Sequence, residues 1–371
     1  MRFPGFTDEW KENPLNQLVE RVTRKNKNEE SKVALTISAQ YGLVDQEAFF
    51  NNKVASSDLS HYYLLYKGEY AYNKSYSSGY PWGTVKRLNQ YDKGVVSTLY
   101  ICFRPLDTVD SDFIGHYFES SKWHKGVSEI AVEGARNHGL LNIGVKDFFS
   151  TTHFVPSLDE QKKIAKVLSL IDDRIVTQNK IIEDLKKLKS AIYDKVFHSL
   201  KGERSSLGDV ADIIKGKQIN GEFLTEVGDY YVMNGGVEPS GYYHNFNVSH
   251  NTISISEGGN SCGYIQWNSA PFWSGGHCYT LRIKNSAIEN KYLYHFLKWH
   301  ENDIMRLRIG SGLPNIQKKD LANVTLLIPK TSVQNQIIHL MDSIDEKIEI
   351  ESKVSLVFFR QRTYLLSQMF I

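Results

Sequence analysis

The chain contains one segment twice, 173 residues apart. Residues 139–175 align with residues 312–348 without a gap, and 13 of the 37 aligned positions are identical. A repeat of this length indicates a duplicated module, because solenoid repeats have periods of about 20–50 residues. Two similar halves predict two similar surfaces, and therefore a partner with two similar sites. The identical pairs include Gly139 and Gly312, Asn142 and Asn315, Pro156 and Pro329, Gln161 and Gln334, and Asp172 and Asp345.

Size and composition predict an ordinary globular protein with two domains. The 371 residues exceed the roughly 250–300 at which a single core stops growing. No apolar stretch reaches about 18 residues, so no membrane span is predicted, and residues 1–10 carry acids instead of an apolar signal core. We expect a cytoplasmic protein. The net charge of +2, from 44 basic and 42 acidic residues, supports a nucleic-acid partner only weakly.

The three cysteines argue against a disulfide framework. Cys102, Cys262 and Cys278 are odd in number and form no CxxC pair, which is typical of a reducing compartment. Cys262, His277 and Cys278 are a candidate set of zinc ligands, but their spacing matches no common zinc pattern. Buried cysteines without a metal are the favoured interpretation.

Each half is predicted to be a mixed globular segment followed by a long helix. Short β-rich runs between Gly-rich turns predict strands in both globular segments. Residues 287–308 predict a helix, with Tyr292, Phe296 and Trp299 on one face. The predicted strands are at 33–37, 95–103, 230–233, 252–255 and 279–283.

The long helices are the clearest structural prediction. Apolar residues follow a heptad pattern from Ile164 to Val196, and a second, interrupted series runs from Ile337 to Met369. Burying one stripe against the other predicts an α+β fold, in which two globular α/β domains are separated by two long helices packed as an antiparallel coiled coil. A plain core or a homodimer seam is the alternative for these stripes. The predicted segments are 1–155 and 201–328 for the domains, and 156–200 and 329–371 for the helices.

The sequence contains no recognisable catalytic motif. Lys215-Gly216-Lys217 is followed by Gln218 and lacks the upstream glycine of a phosphate-binding loop. No adenine-methylating motif, HExxH or GxSxG is present. The group Glu160-Gln161-Lys162 superficially suits a nuclease, but it lies in the first turn of a predicted helix. We interpret it as a solvated capping group, with capping boxes pairing Ser157 with Glu160 and Thr331 with Gln334. The chain is therefore predicted not to be an enzyme.

A family resemblance is carried by segments of both halves. They are 140–143, 154–156, 160–165 and 172–175, continuing to Phe197, and 313–316, 328–329, 334–337 and 344–348. These segments, their order along the chain and the opening from Phe3 to Leu15 resemble the DNA-specificity (S) subunit of type I restriction-modification systems. The resemblance covers all 371 residues. One departure is Val333, where the family commonly has a glutamate before Gln334.

The resemblance implies a function for the whole chain. Each target-recognition domain is expected to read one half of a bipartite, asymmetric sequence in double-stranded DNA, while the helices fix the spacer. Two methyltransferase (M) subunits are expected to dock on the S subunit and methylate adenine at N6 with S-adenosylmethionine. A restriction enzyme adds two restriction (R) subunits that use ATP and Mg²⁺. No cofactor is expected in this chain.

DNA-contacting residues are predicted from physical chemistry, because base reading needs polar side chains on loops that are backed by cations. In the first domain, residues 62–93 combine tyrosines with lysines, which suits a DNA-contacting loop. A Tyr-rich sheet surface with solvated lysines explains the same segment equally well. In the second domain, the Gly-rich segments either approach DNA closely or simply make turns. The candidates are Lys74, Tyr76, Tyr80, Trp82, Lys86 and Arg87, then Lys215, Lys217, Asn234, Asn260, Arg306 and Arg308.

Apolar residues outside the heptad positions predict docking surfaces for the M subunits. They are Val167, Leu170 and Val176 in the first helix, and Ile338, Leu340 and Val357 in the second. Two other classes of function stay open on the sequence. One is a stand-alone DNA-cleaving or DNA-modifying enzyme with unrecognised motifs, and the other is a protein-binding scaffold.

Overall fold

The computed structural model describes residues 2–52, 55–131, 141–310, 312 and 314–371. Its contacts divide the chain into two compact units. Unit 1 comprises Met1–Gln178 and Val354–Ile371, and unit 2 comprises Asn179–Lys353. Both long helices therefore contribute to each unit. The repeated residues Gly139, Leu140 and Leu313 lie outside the described residues.

The first half of the chain ends in a very long helix. Its strands are β1 (Lys11–Pro14), β2 (Val19–Arg21), β3 (Leu35–Ser38), β4 (Gly42–Asp45), β5 (Tyr63–Tyr66), β6 (Tyr70–Asn73), β7 (Thr84–Arg87), β8 (Lys93–Val96), β9 (Ile101–Pro105) and β10 (Thr152–Val155). Its helices are α1 (Gln46–Phe50), α2 (Ser111–Glu119), α3 (His124–Ile130), α4 (Val145–Ser150) and α5 (Leu158–His198).

The second half follows the same plan. Its strands are β11 (Glu203–Ser206), β12 (Ala211–Lys215), β13 (Tyr230–Met233), β14 (Tyr242–Tyr243), β15 (Thr252–Ser256), β16 (Ile265–Asn268), β17 (Trp273–Ser274), β18 (Cys278–Ile283) and β19 (Thr325–Ile328). Its helices are α6 (Leu207–Val210), α7 (Asn290–Trp299), α8 (Glu301–Arg306), α9 (Lys318–Ala322) and α10 (Thr331–Met369). Short 3-10 helices lie at Leu15–Gln17 and Gly221–Phe223.

Unit 1 is built on an antiparallel sheet with an aromatic core. The sheet has the strand order β2-β9-β6-β7. Tyr70 stacks on Phe103, and Tyr72 stacks on Phe148, so two of the seven tyrosines between 62 and 80 belong to the core. The same core includes Leu168 of α5 together with residues at the end of α10. The sheet and the helix segments therefore share one hydrophobic core.

Unit 2 repeats this arrangement. Its larger sheet is antiparallel, with the strand order β12-β18-β15-β16, and a smaller sheet has the order β14-β13-β17. The core joins Tyr292 and Phe296 of α7 to Phe197 of α5 and Met341 of α10. The first strand of each half also pairs with the strand before the long helix, β1 with β10 and β11 with β19.

The two long helices pack together in each unit and run antiparallel there. In unit 1, Asp172 of α5 pairs with Arg362 near the end of α10. In unit 2, Lys189 near the end of α5 pairs with Asp345 of α10. The predicted fold class is confirmed. Among the described residues, no helix is long and apolar enough to cross a membrane.

Two element boundaries differ from the sequence predictions. The apolar run 95–103 divides into β8 and β9, because a turn closes with the Tyr100 N–H donating to the Ser97 carbonyl at 3.1 Å. The predicted helix 287–308 divides into α7 and α8 at His300, whose ψ of 7° interrupts the helical path.

The solvated capping interpretation of Glu160 and Gln161 is wrong. Glu160 is 1% exposed and accepts two hydrogen bonds from the Arg2 guanidinium, at 2.9 and 2.7 Å. The capping box at Thr331 is also wrong, since α10 already begins at that residue and the Gln334 side chain contacts other partners. Tertiary contacts replace local capping at both helix starts.

We call the contact between α2 and the long helices the first joint. The Gln161 side chain accepts the Asp110 N–H at 2.8 Å and donates to the Pro156 carbonyl at 2.9 Å. The ring of His116, on α2, contacts the Ser169 hydroxyl at 3.1 Å. Arg362 then pairs with Asp172 of α5 and with Glu119 of α2. The first globular domain is thus tied to the helices by polar as well as apolar contacts.

The second joint repeats the first with α7 in place of α2. The Gln334 side chain accepts the Glu289 N–H at 2.8 Å and donates to the Ala287 and Pro329 carbonyls. The His295 ring contacts the Asp342 carboxylate at 2.8 Å and the Tyr193 hydroxyl at 2.9 Å. The residue pairs 189 and 362, and 197 and 370, are also 173 apart. The spacing of the internal repeat is therefore kept at these two pairs near the ends of the helices.

Candidate nucleic-acid interface

Four loops of unit 2 converge on one surface, which we call the glycine-loop cluster. It comprises 215–218, 234–236, 256–261 and 275–277. The Ser256 hydroxyl donates to the Gly235 carbonyl at 2.7 Å, and the Glu257 N–H donates to the His277 carbonyl at 2.9 Å. The Lys217 N–H donates to the Ser274 carbonyl at 2.8 Å. The structure thus brings together the loops that contain the predicted residues Lys215 and Lys217, Asn234 and Asn260.

Glycines are required where these loops touch. A Cβ on Gly216 would lie 2.2 Å from the Gly275 carbonyl oxygen, which is far inside van der Waals contact. Gly235 has a φ of 85°, a conformation that glycine adopts without strain. Both glycines therefore serve close packing of the loops, and this packing holds the polar side chains of the cluster in place.

The predicted polar residues of the second domain differ in their surroundings. The Lys215 ammonium contacts a Glu257 carboxylate oxygen at 2.7 Å and is still half exposed. Asn234 is half-buried, and its side-chain oxygen accepts the His277 N–H at 3.2 Å. Lys217 and Asn260 are exposed. The cluster thus offers two lysines and an amide at the surface, with Asn234 holding the loops together.

Arg306 and Arg308 lie just before a segment that joins the cluster. Gly258 and Ile309 both form β-bridges with Asn315, so Ile309 and Asn315 border the loop 256–261. Arg306 is exposed and pairs with Asp303 of its own helix at 2.9 Å. Arg308 is exposed as well. Both arginines can add positive charge at the rim of the surface.

The basic candidates of the first domain are engaged inside the unit. Lys86 contacts Glu119 at 3.1 Å, and Arg87 contacts Asp112 at 2.6 Å. The Lys74 ammonium donates to the Ile143 carbonyl at 3.0 Å. These cations tie β7 to α2 and the loop after β6 to the segment before α4. Their contacts agree better with a structural role than with the predicted phosphate contacts.

The aromatic candidates of the first domain are divided between surface and core. Tyr76 is 60% exposed. Tyr80 is half-buried in a turn in which its N–H donates to the Ser77 carbonyl at 2.8 Å. Trp82 packs against the hydrophobic core, and its carbonyl accepts the Tyr72 hydroxyl at 2.7 Å. Tyr76 is therefore the most accessible aromatic candidate of this loop.

The predicted docking residues differ in exposure, and they belong to both units. Leu170, Val176, Leu340 and Val357 are exposed, whereas Val167 and Ile338 are half-buried. Only Val167 and Leu340 occupy equivalent positions of the repeat, since Leu170 corresponds to Ser343 and Val176 to Glu349. Val357 belongs to unit 1 although it lies on the second helix. The equivalence of the two apolar surfaces is limited to one pair.

The structure offers no support for the zinc-ligand set. Cys262 and Cys278 are buried free thiols, and burial raises the pKa of Cys278 to about 11. Among the described residues, clusters of ligand-type groups occur at the two joints, and neither includes Cys262, His277 or Cys278. In each of these clusters a cation of the protein, Arg362 or Lys189, already pairs with a carboxylate.

Sequence reasoning missed the loop 275–277 as part of this surface. His277 was considered only as a zinc ligand, although the preceding Gly275-Gly276 is a turn signal of the same kind as Gly235-Gly236. Glu257 lies in one of the Gly-rich segments of the sequence, but its position beneath Lys215 depends on a contact across 42 residues. A sequence pattern cannot show such a contact.

Both halves of the chain match the family model described as the type I restriction modification DNA specificity domain, over residues 7–187 and 201–356. The same domain model therefore matches twice, once in each half of the chain, and each match includes part of a long helix. The chain belongs to the family of type I restriction-modification DNA specificity subunits.

Curated relatives agree with this membership. A putative type I specificity subunit of Mycoplasma pneumoniae is 34% identical over 149 residues, which are 39% of each chain. The specificity subunit of a type I restriction enzyme of Methanocaldococcus jannaschii is 24% identical over 316 residues, or 70% of each chain. The chain spans about two fifths of the length of the first of these relatives.

Solved structures share the fold. The S subunit of a type I restriction-modification system from M. genitalium superposes with a TM-score of 0.65 at 19% identity, covering 100% of this chain and 97% of that one. A chain from a structure on complex assembly and conformational transition of the type I system superposes with a TM-score of 0.59 at 16% identity, covering 97% of each chain. At such identities the comparison establishes the fold alone.

Proposed function

We propose that this chain is a non-catalytic subunit that reads a bipartite, asymmetric sequence in double-stranded DNA. Each target-recognition domain reads one half-site, and the paired helices fix the spacer between them. The observation that carries the proposal is that both halves match the specificity-domain model over nearly their whole length. The repeated joints, which tie each recognition domain to the long helices by the same kinds of contact, support it.

The glycine-loop cluster supports DNA contact by the second domain. Tightly packed loops present Lys215, Lys217 and Asn260 at the surface, and such donors suit phosphates and base edges. In the first domain, Tyr76 is the candidate with the most exposed side chain among the loop aromatics. We therefore propose that the first domain relies less on its predicted basic residues than the second.

The chemistry of the complex resides in partner subunits under this proposal. Two M subunits dock on the helices and methylate adenine at N6 with S-adenosylmethionine. R subunits, where present, supply the ATP- and Mg²⁺-dependent restriction activity. The exposed residues Leu170, Val176, Leu340 and Val357 are the proposed apolar contacts. The complex acts in the cytoplasm, and the division at 1–155, 156–200, 201–328 and 329–371 describes its modules.

A domain exchange tests the two-reader proposal. Residues 1–155 are replaced by the same part of a relative, and the chimera is expressed with its M subunit in a host that lacks DNA methylation. Methylome sequencing is expected to show one altered half-site, with the other half-site and the spacer unchanged. The matched control replaces 201–328 and should alter the other half-site. A change of both half-sites in either chimera would contradict independent reading.

A further inference from the structure

Glu257 combines deep burial with an unsatisfied carboxylate oxygen beneath the glycine-loop cluster. The residue is 8% exposed. Its Oε1 accepts hydrogen bonds from the Lys215 ammonium at 2.7 Å and from the Tyr279 hydroxyl at 3.0 Å. Its Oε2 has no hydrogen-bond partner among the described residues. Because a buried carboxylate oxygen without a donor costs free energy, this geometry suits a donor that moves into place when a ligand binds.

His277 is positioned to become that donor. Its Nδ1 lies 3.9 Å from Glu257 Oε2, just beyond hydrogen-bond distance, and its side chain is 63% exposed. Its backbone is fixed on both sides, since the N–H donates to Asn234 Oδ1 and the carbonyl accepts the Glu257 N–H. A small rotation of the ring can therefore close the gap while the loop stays in place.

Only the protonated ring can serve both Glu257 and a ligand as a donor. An imidazolium carries an N–H on each nitrogen, whereas the neutral ring carries one. If Nδ1–H donates to Glu257, a neutral ring has no N–H left for an anionic group. A second anion on the exposed side of the ring stabilises the imidazolium and leaves its Nε2–H as a donor.

We propose that His277 and Lys215 form a binding site for a DNA backbone phosphate, with Glu257 as the positioning residue for both. In the bound state the imidazolium donates Nδ1–H to Glu257 Oε2 and Nε2–H to a phosphate oxygen, and Lys215 supplies a second positive charge. A phosphate fits better than a base edge, because its negative charge stabilises the imidazolium more than a neutral acceptor does. This site rests on the proposed function, since it names the part of DNA that the surface contacts.

The charges around His277 make DNA binding depend on pH. Glu257 faces the ring from the loop after β15, and Lys215 contacts the same carboxylate from the end of β12. Tyr279 of β18 donates to that carboxylate, and Arg308 adds positive charge near Cys262. An incoming phosphate adds a negative charge beside the ring, and this charge favours the imidazolium. Binding is therefore expected to take up a proton.

The test is the DNA affinity of the complex of this chain with its M subunit, measured by fluorescence anisotropy on a duplex that contains the recognition site. A single linked proton changes Kd by at most about tenfold per pH unit. We expect the wild-type Kd to rise about fivefold to tenfold between about pH 6 and about pH 8 at constant salt.

Two variants isolate the proposed site. His277→Gln keeps a polar side chain that cannot become a cation, so it should flatten the pH profile and lower the slope of log Kd against log salt by about 0.9 at low pH. Glu257→Gln should flatten the pH profile with His277 still present. If Glu257→Gln disturbs the packing of the loops, the result for His277→Gln decides whether the site exists, because the His277 side chain is exposed. The matched control is His339→Gln, an exposed histidine on α10, which should keep the wild-type profile.

The outcomes separate this site from the proposed function. Site-specific binding with the same pH profile in wild type and in His277→Gln overturns the phosphate site and leaves the proposed function intact. If His277→Gln relaxes specificity at one position of a half-site and leaves the salt slope unchanged, His277 and Lys215 contact a base. This result overturns the phosphate contact. If the wild-type complex shows no site-specific binding at any pH, the proposed function itself is contradicted.

Discussion

The first and second joints share their hydrogen bonds but differ in their charges. In both, a buried glutamine accepts the N–H of the residue that precedes the domain helix, Asp110 or Glu289. The charged groups around this contact have diverged. His116 contacts the Ser169 hydroxyl, whereas the equivalent His295 contacts the Asp342 carboxylate. The comparison indicates that the glutamine contact sets the position of the domain helix, and that the ion pairs around it can vary.

The histidines of the two joints are also buried to different depths. His295 is 0% exposed and His116 is 8% exposed. Burial lowers the pKa of His295 to about 4 in spite of the Asp342 carboxylate, which raises it. Burial also lowers the pKa of His116, and Asp172 opposes this effect. Burial therefore favours the neutral form of both rings. The hydrogen-bond partner of the ring is a carboxylate, Asp342, in the second joint and a hydroxyl, Ser169, in the first.

The largest expected effect comes from removing the shared hydrogen bonds. Gln334→Ala leaves the Glu289 N–H and the Ala287 carbonyl without this partner, and Gln161→Ala leaves the Asp110 N–H. We expect the free energy of unfolding to fall by about 3 kcal/mol for Gln334→Ala and about 2 kcal/mol for Gln161→Ala. Urea unfolding followed by circular dichroism measures both changes.

The control for this pair is Gln336→Ala, which removes an exposed glutamine from the same helix and should change stability by less than about 0.5 kcal/mol. Equal effects of Gln336→Ala and Gln334→Ala would show that the joint glutamine is no more than a surface residue. A larger loss of unfolding free energy for Gln161→Ala than for Gln334→Ala would contradict the expectation that the second joint depends more on its glutamine.

The joints show how far the sequence predicts this fold. The repeat and the heptads predict the two long helices, because both patterns are local and periodic. The same repeat marks Gln161 and Gln334, but local reasoning assigned them to capping. Their actual partner groups belong to residues up to 51 positions away along the chain, such as Asp110. Only tertiary packing brings these groups together.

The DNA-contacting candidates show the same limit. Glycine-rich turns located three loops of the second-domain surface, since turn chemistry is encoded locally. In the first domain the interleaved lysines suggested phosphate contacts, yet Lys86 meets Glu119 across 33 residues. Whether a cation is exposed or paired depends on which acidic residue the fold places beside it. Composition and spacing carry no information on that.

The second prediction uses pH to separate the two joints. The unfolded chain has a histidine with the ordinary pKa of 6.5, whereas folded His295 has a pKa of about 4. As the pH falls below 6.5, the unfolded state binds a proton that the folded state does not bind. Stability is therefore present above that pH and is lost on acidification towards pH 4, by at most about 1.4 kcal/mol per pH unit. We expect a loss of about 1.6 kcal/mol between pH 6.5 and about pH 5 from this group.

Two variants sharpen this comparison. His295→Gln should remove that part of the acid sensitivity, so its stability profile is flatter than that of the wild type. Asp342→Ser copies the first joint and removes the carboxylate that raises the pKa of His295, so the folded ring should titrate at still lower pH by NMR. His339→Gln, the exposed control, should leave the profile unchanged. An acid profile that is identical in wild type and His295→Gln would contradict the assignment.

The smallest expected effect concerns the cations of the two joints. Arg362 pairs with Asp172 and Glu119, so its guanidinium serves two carboxylates at once, whereas Lys189 pairs with Asp345. A lysine cannot reproduce a forked contact, and Arg362→Lys should lower the free energy of unfolding by about 1 kcal/mol. Lys189→Arg keeps the charge and the one carboxylate partner, so it should stay within about 0.5 kcal/mol of the wild type. Thermal and urea unfolding of the two reciprocal variants in parallel measures the difference. Equal costs for the two exchanges would mean that the second carboxylate, Glu119, contributes nothing to the first joint.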